Sequence, residues 1–122
     1  MDFKRDKTLE ERSNLYKRLT SIYLDRIPVI VERHEGCNIE EIDNRKFLVP
    51  DNTTISTFIY VLRKRLHLTP ERALYLFHNN TLYTGSTLIS QIPQDEDGFR
   101  YLKYAGENTF GCPKLNDILS WK

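Results

Sequence analysis

The run TISTFIYVLRKRL, residues 54–66, sets Ile55, Phe58, Ile59, Leu62 and Leu66 at helical spacing behind Thr54, a residue type that caps helices. Arg63, Lys64 and Arg65 lie mostly off that stripe, so one face is apolar and needs a cover. The neighbouring segments supply it. Before the helix come IPVIVER (27–33) and RKFLV (45–49), the first a β-branched run of the kind that fills a buried strand and the second alternating. After it come ALYLFH (73–78), a brief TLY (81–83) and FRYLKY (99–104). Pro28 sits near the start of its strand, where a missing N–H is tolerated.

The connections agree with this reading. HEGCNIEEID around Gly36 is a polar loop that joins the first two strands as a hairpin, and Pro50 with Asp51-Asn52 ends the second. Asn79-Asn80 marks a turn, STLISQI (86–92) a short helical turn, and PQDEDG a solvated acidic loop. Upstream, LEERSNLYKRLTSIYL (9–24) places Leu15, Leu19, Ile22 and Tyr23 at helical spacing, with Thr8 and Glu11 set as a capping box. The order is helix, β, β, α, β, short β, short helix, β. Apart from its first helix this is ββαββ, an α+β, ubiquitin-like β-grasp: a mixed four-stranded sheet on a central helix, with an N-terminal helical extension. Fold order alone does not assign function.

At 122 residues the chain is long enough for one core. Its formal net charge of +1 gives no global pull toward nucleic acid or an acidic membrane. The start, MDFKRDKTLEERSN, is charged throughout and does not read as a secretory signal, and no stretch has the apolar length of a membrane span. With Cys37 and Cys112 the only cysteines, a reducing compartment is expected and a disulfide framework is not.

Catalytic chemistry is not expected either. His34, His67 and His78 are scattered, and none has a second His or Cys at metal-ligand spacing. Cys37 lies three residues from His34, but a polar loop is a poor place to hold a thiolate–imidazole pair. Phosphate-loop and nucleophile-elbow patterns are absent. The basic residues Arg45, Lys46, Arg63, Lys64 and Arg65 lack interleaved aromatics, so nucleic-acid binding is not expected; steering of acidic residues beside a partner's motif fits them better.

The words DRIPVIVER, FLVPDNTTISTFIYVLRKRL, NNTL, DEDGFRYLKY and GENTFG resemble the autophagy ubiquitin-like modifier family, of the GABARAP-like kind, over about residues 8 to 111. The chain departs from the family pattern at Thr8-Leu9, Leu24, Thr53 and Tyr83, and its loop before Asp95 is shorter. The resemblance implies a division into an N-terminal helical extension (1–24), a β-grasp core with a C-terminal arm (25–111) and a tail (112–122) that a cysteine protease removes. It implies cleavage between Gly111 and Cys112, with Phe110 and Thr109 in the arm that the protease and conjugating machinery grip. An activating and a conjugating enzyme then join Gly111 to phosphatidylethanolamine. The protein is expected to be a monomer in the cytoplasm before conjugation and to sit on the autophagosome membrane after it, with no cofactor and no metal. A lack of side chain at residue 111 suits this chemistry, because a terminal adenylate or thioester must pass through narrow enzyme channels.

The resemblance also implies cargo receptors that carry an aromatic-x-x-aliphatic motif. One pocket for them is lined by Leu19, Pro28, Lys46, Leu48 and Phe99, the other by Phe47, Val49, Pro50, Phe58, Val61 and Arg65. Strand alternation agrees, since Phe47 and Val49 must face away from Lys46 and Leu48. An extended peptide adds to such an edge strand by backbone pairing. The alternative reading is a β-grasp adaptor in trafficking or on microtubules that binds peptides and is never conjugated.

Overall fold

The computed structural model describes residues 2–106. Its elements are α1 (Phe3–Asp6), α2 (Leu9–Ile22), β1 (Arg26–Arg33), β2 (Lys46–Pro50), α3 (Ile55–Arg65), β3 (Tyr75–His78), β4 (Thr81–Leu82), a 3-10 turn (Ile89–Gln91) and β5 (Arg100–Ala105). The strands form one sheet in the order β2-β1-β5-β3-β4. β1 and β5 run parallel and the other pairs antiparallel, so the sheet is mixed. It has five strands rather than four. Asn79 and Asn80 both take positive φ, as a tight two-residue hairpin turn requires, and this lets Thr81 and Leu82 pair back on β3.

The sheet is covered on both faces, which explains the unbroken apolar run of β1. Ile27, Val29 and Val31 pack with Ile55, Phe58 and Leu62 of α3 in the main core. Pro28 and Ile30 point the other way, and Ile30 joins Phe3 and Phe99 in a second cluster under Leu15, Tyr16 and Leu19 of α2. Thr8 and Glu11 form the expected capping box, and Thr54 caps α3 through the Thr57 amide.

Three segments depart from the sequence reading. The charged start hides α1, whose Phe3 is fully buried and stands edge-on to Phe99 with ring centroids 5.4 Å apart. The β1–β2 connection is not simply polar, for Cys37, Ile39 and Ile42 are buried in the main core. Nor is the acidic loop simply solvated. Asp97 is 2% exposed, pairs with Arg12 Nη1 at 2.8 Å, accepts the Tyr101 hydroxyl and the Phe99 N–H, and so fastens α2 to the start of β5. Beside it Gly98 has φ +98°, and a Cβ there would lie 2.4 Å from the Tyr16 ring. Only glycine fits so close under α2.

Charge holds α1 in place. Asp6 pairs with Arg45, Lys4 with Asp95, and the Phe3 N–H donates to Glu32 at 2.7 Å. Hydrogen bonding to Arg45 lowers the Asp6 carboxyl below its usual 3.8. Burial pushes Asp95 up, but Lys4 and the Glu96 amide outweigh it and the net direction is also down from 3.8. Both groups are depressed in the fold, so their stabilisation is full above the ordinary aspartate value and fades as pH falls through the lower folded values. We therefore expect α1 to stay docked through mildly acidic pH and to release only below pH 3.8. The pH dependence of the Phe3 amide resonance checks this; release near pH 6 would rule it out.

Candidate functional site

β2 is an outer strand of the sheet, with β1 as its one neighbour among the described residues. Two hydrogen bonds fix the direction of its backbone groups: Val31 N–H to Arg45 C=O at 2.8 Å and Asp51 N–H to Asp25 C=O at 3.1 Å. They flank the register in which Val29 faces Phe47 and Ile27 faces Val49. Bonded and non-bonded pairs alternate in an antiparallel ladder. The main-chain groups of Phe47 and Val49 therefore point to β1, while those of Lys46 and Leu48 point out of the sheet. Pro28, opposite Leu48, has no N–H to give in any case.

The side chains divide by the same alternation. Leu48 shares a face with Pro28, and Lys46 with Ile30, on the α2 side. There Leu19, Pro28, Lys46, Leu48 and Phe99 line an open, mainly apolar cavity of about 270 Å³, joined by Phe3, Leu15, Val29, Ile30 and Phe47. All five residues expected for the first pocket thus meet in one place. Sequence reasoning missed Phe3, because one aromatic among charged residues carries no periodic signal. Leu15 was visible in the helical pattern of α2 but not as part of a cavity.

The second group lies on the opposite face and is divided in depth. Phe58 and Val49 are core residues, 1% and 6% exposed. Phe47 is half-buried and stands edge-on to Phe58 at 5.4 Å, with the Arg65 guanidinium 5.5 Å from its ring centre. Val61 is 40% exposed, and Pro50 and Arg65 are exposed. An arriving side chain meets Phe47, Pro50, Val61 and the stem of Arg65, over a floor of Phe58 and Val49.

Among the basic residues, Arg63 donates to the carbonyls of Thr69 and Arg72 and so holds the loop after α3. Arg45 pairs with Asp6, whereas Lys46 is exposed beside the cavity. Cys37 is buried with Sγ accepting the Ile39 N–H, while the His34 ring packs against Phe77. Tyr104, inside the core, has its hydroxyl pushed up to about 12, first by burial; that hydroxyl donates to Glu40 C=O and accepts the Ile42 N–H, holding the β1–β2 connection down. Thr109, Phe110, Gly111 and Cys112 lie outside the described residues.

A mixed sheet over one helix, capped by two N-terminal helices and leaving the β2 edge open beside an apolar cavity, defines a ubiquitin-like protein. The family model for autophagy protein Atg8, ubiquitin-like, matches residues 11–111. The chain is 50% identical over 112 residues to autophagy-related protein 8B of Oryza sativa subsp. indica, covering 89% of this chain and 94% of that one. It is 48% identical over 113 residues to autophagy-related protein 8 of Dictyostelium discoideum, covering 89% and 93%. The crystal structure of Trypanosoma brucei ATG8 is similar with a TM-score of 0.86 at 39% identity, covering 91% of this chain and 98% of that one. The chain belongs to the Atg8 family and is a ubiquitin-like autophagy modifier.

Proposed function

We propose that this protein is trimmed after Gly111, joined through that glycine to phosphatidylethanolamine on autophagosomal membranes, and there recruits receptors through β2 and the two apolar sites beside it. It starts in the cytoplasm and acts as the passenger of a protease, an activating enzyme and a conjugating enzyme rather than as a catalyst. The division into extension, core and removable tail belongs to this reading. The observation that carries the docking half is the open β2 edge, with Lys46 and Leu48 facing outward between an apolar cavity and the Phe47–Val61 patch. A strand laid on that edge drops alternate side chains to the two sides. The match of the family model as far as residue 111 supports the other half.

One aromatic and one aliphatic anchor would contribute roughly 1.5–3 kcal/mol each. After the cost of association this corresponds to micromolar affinity. Phe47→Ala combined with Leu48→Ala is expected to abolish binding of a Trp-x-x-Leu peptide in calorimetry, with circular dichroism and melting confirming that the fold survives. Unchanged affinity in the folded double variant would remove the peptide from this edge.

A further inference from the structure

The outward edge of β2 is not bare. Asn44, two residues before Lys46, accepts the Lys46 N–H on Oδ1 at 3.2 Å and donates from Nδ2 to the Lys46 C=O at 2.8 Å. In a hydrogen-bonded antiparallel pair, a residue of the neighbouring strand makes this same exchange of two bonds. The Asn44 amide sets an N–H donor and its oxygen side by side against Lys46, so it occupies the place of one residue of an added strand. Leu48, the next outward residue, is less covered: its carbonyl has Arg26 Nη1 at 3.4 Å, a long bond. The side chains on either side have partners of their own, Asp43 meeting Arg65 and Arg45 pairing with Asp6, and neither pair involves the amide. The amide is therefore able to turn away while the strand stays where it is.

We propose that Asn44 is a self-plug on the peptide edge: an extended peptide has only the long Arg26 contact to displace at Leu48, and gains the Lys46 pair only by displacing the Asn44 amide. The inference rests on the docking reading above and adds a competitor to it. The plug favours peptides whose backbone pairing ends at Leu48, and it weakens those that need both residues. It also gives the empty protein a satisfied edge, which discourages sheet-to-sheet association of two copies.

The test compares the full chain with Asn44→Ala. The probe is a synthetic peptide with Trp-Thr-Thr-Leu flanked by serines, so that charge plays no part. In the free proteins, amide hydrogen exchange at Lys46 should be faster in the variant, with the amide of Val49, directed at β1, serving as an unchanged control. Two exposed side-chain bonds, each at the low end of ordinary net strength, oppose the peptide in the native chain, so the variant should bind about fivefold more tightly by calorimetry. Equal exchange at Lys46, or equal or weaker peptide binding by the variant, overturns the plug while the docking reading stands. Binding by neither protein is a different result: it overturns the docking reading, and the plug falls with it.

Discussion

Replacing Asp97 with alanine is expected to destabilise the protein by about 3–5 kcal/mol, the cost of stranding the other half of a buried ion pair. Arg12 would keep its charge in a site where its side chain is 9% exposed and its Nε already has no partner. The Tyr101 hydroxyl and the Phe99 N–H would lose their acceptor at the same time. That acceptor and the burial around it hold the Tyr101 hydroxyl well above its ordinary value, burial being the larger cause. The melting temperature should fall by roughly 10–20 °C for a chain of this size. Arg12→Met with Asp97→Asn is the informative partner: the charge leaves with its counter-ion, the asparagine Oδ1 still accepts from the Phe99 N–H, and its Nδ2 donates to the Tyr101 hydroxyl oxygen in place of accepting from it. That pair should recover most of the loss in chemical denaturation. A cost below about 1 kcal/mol for Asp97→Ala would mean that Arg12 escapes to water, and α2 would then need another fastening. Because α2 and α1 supply Leu19, Leu15 and Phe3 to the cavity, the same substitution should also weaken peptide binding in protein that remains folded.

Much of this architecture was legible because its causes are local. The stripe from Ile55 to Leu66 announces α3, and the alternation of Lys46, Phe47, Leu48 and Val49 by itself divides the edge into two sides. Where the cause is distant, the local pattern misleads. Asp97 reads as one carboxylate in an acidic turn because its partner Arg12 is 85 residues away in the chain. Phe3 shows no period, since α1 is a four-residue helix with one buried side chain. Ile39 and Ile42 looked like apolar residues stranded in a polar loop, yet the Tyr104 hydroxyl and the main core draw that loop inward. Asn44 is hidden for another reason. An asparagine before a strand suggests a turn, and only the geometry shows its amide facing outward along the edge as a strand would.

Substituting Gly111 with alanine should reduce membrane attachment severely, in the range of total loss, while leaving the folded domain and its peptide affinity unchanged. On the proposed reading, water delivered by the protease would first break the Gly111–Cys112 peptide bond and leave a glycine carboxylate; Cys112 would depart as the first residue of the discarded piece, and the mature chain would keep only Cys37. ATP would then convert that carboxylate to an adenylate with release of pyrophosphate. A thiolate of the activating enzyme would attack the adenylate carbonyl and release AMP, and the thioester so formed would pass to a second enzyme cysteine. The amine of phosphatidylethanolamine would attack the thioester carbonyl, and the thiolate would leave as the amide forms. In the cleavage, thioester and amide steps a nucleophile would approach the same carbonyl, and the unsubstituted α-carbon of glycine leaves the most room for it. Phe110 would anchor the arm in the protease, where burying an aromatic contributes about 1.5–3 kcal/mol. Three forms separate the stages: the full chain, Gly111→Ala, and a chain ending at Gly111, each given protease, both enzymes, ATP and vesicles containing phosphatidylethanolamine. The first and third should float with the vesicles and gain the mass of the lipid. A third form that floats beside a first that does not would place the failure at cleavage alone. If the chain ending at Gly111 gains no lipid and the full chain resists the protease, the conjugation reading fails, and the open β2 edge would then belong to a peptide-binding adaptor that is never attached to a membrane.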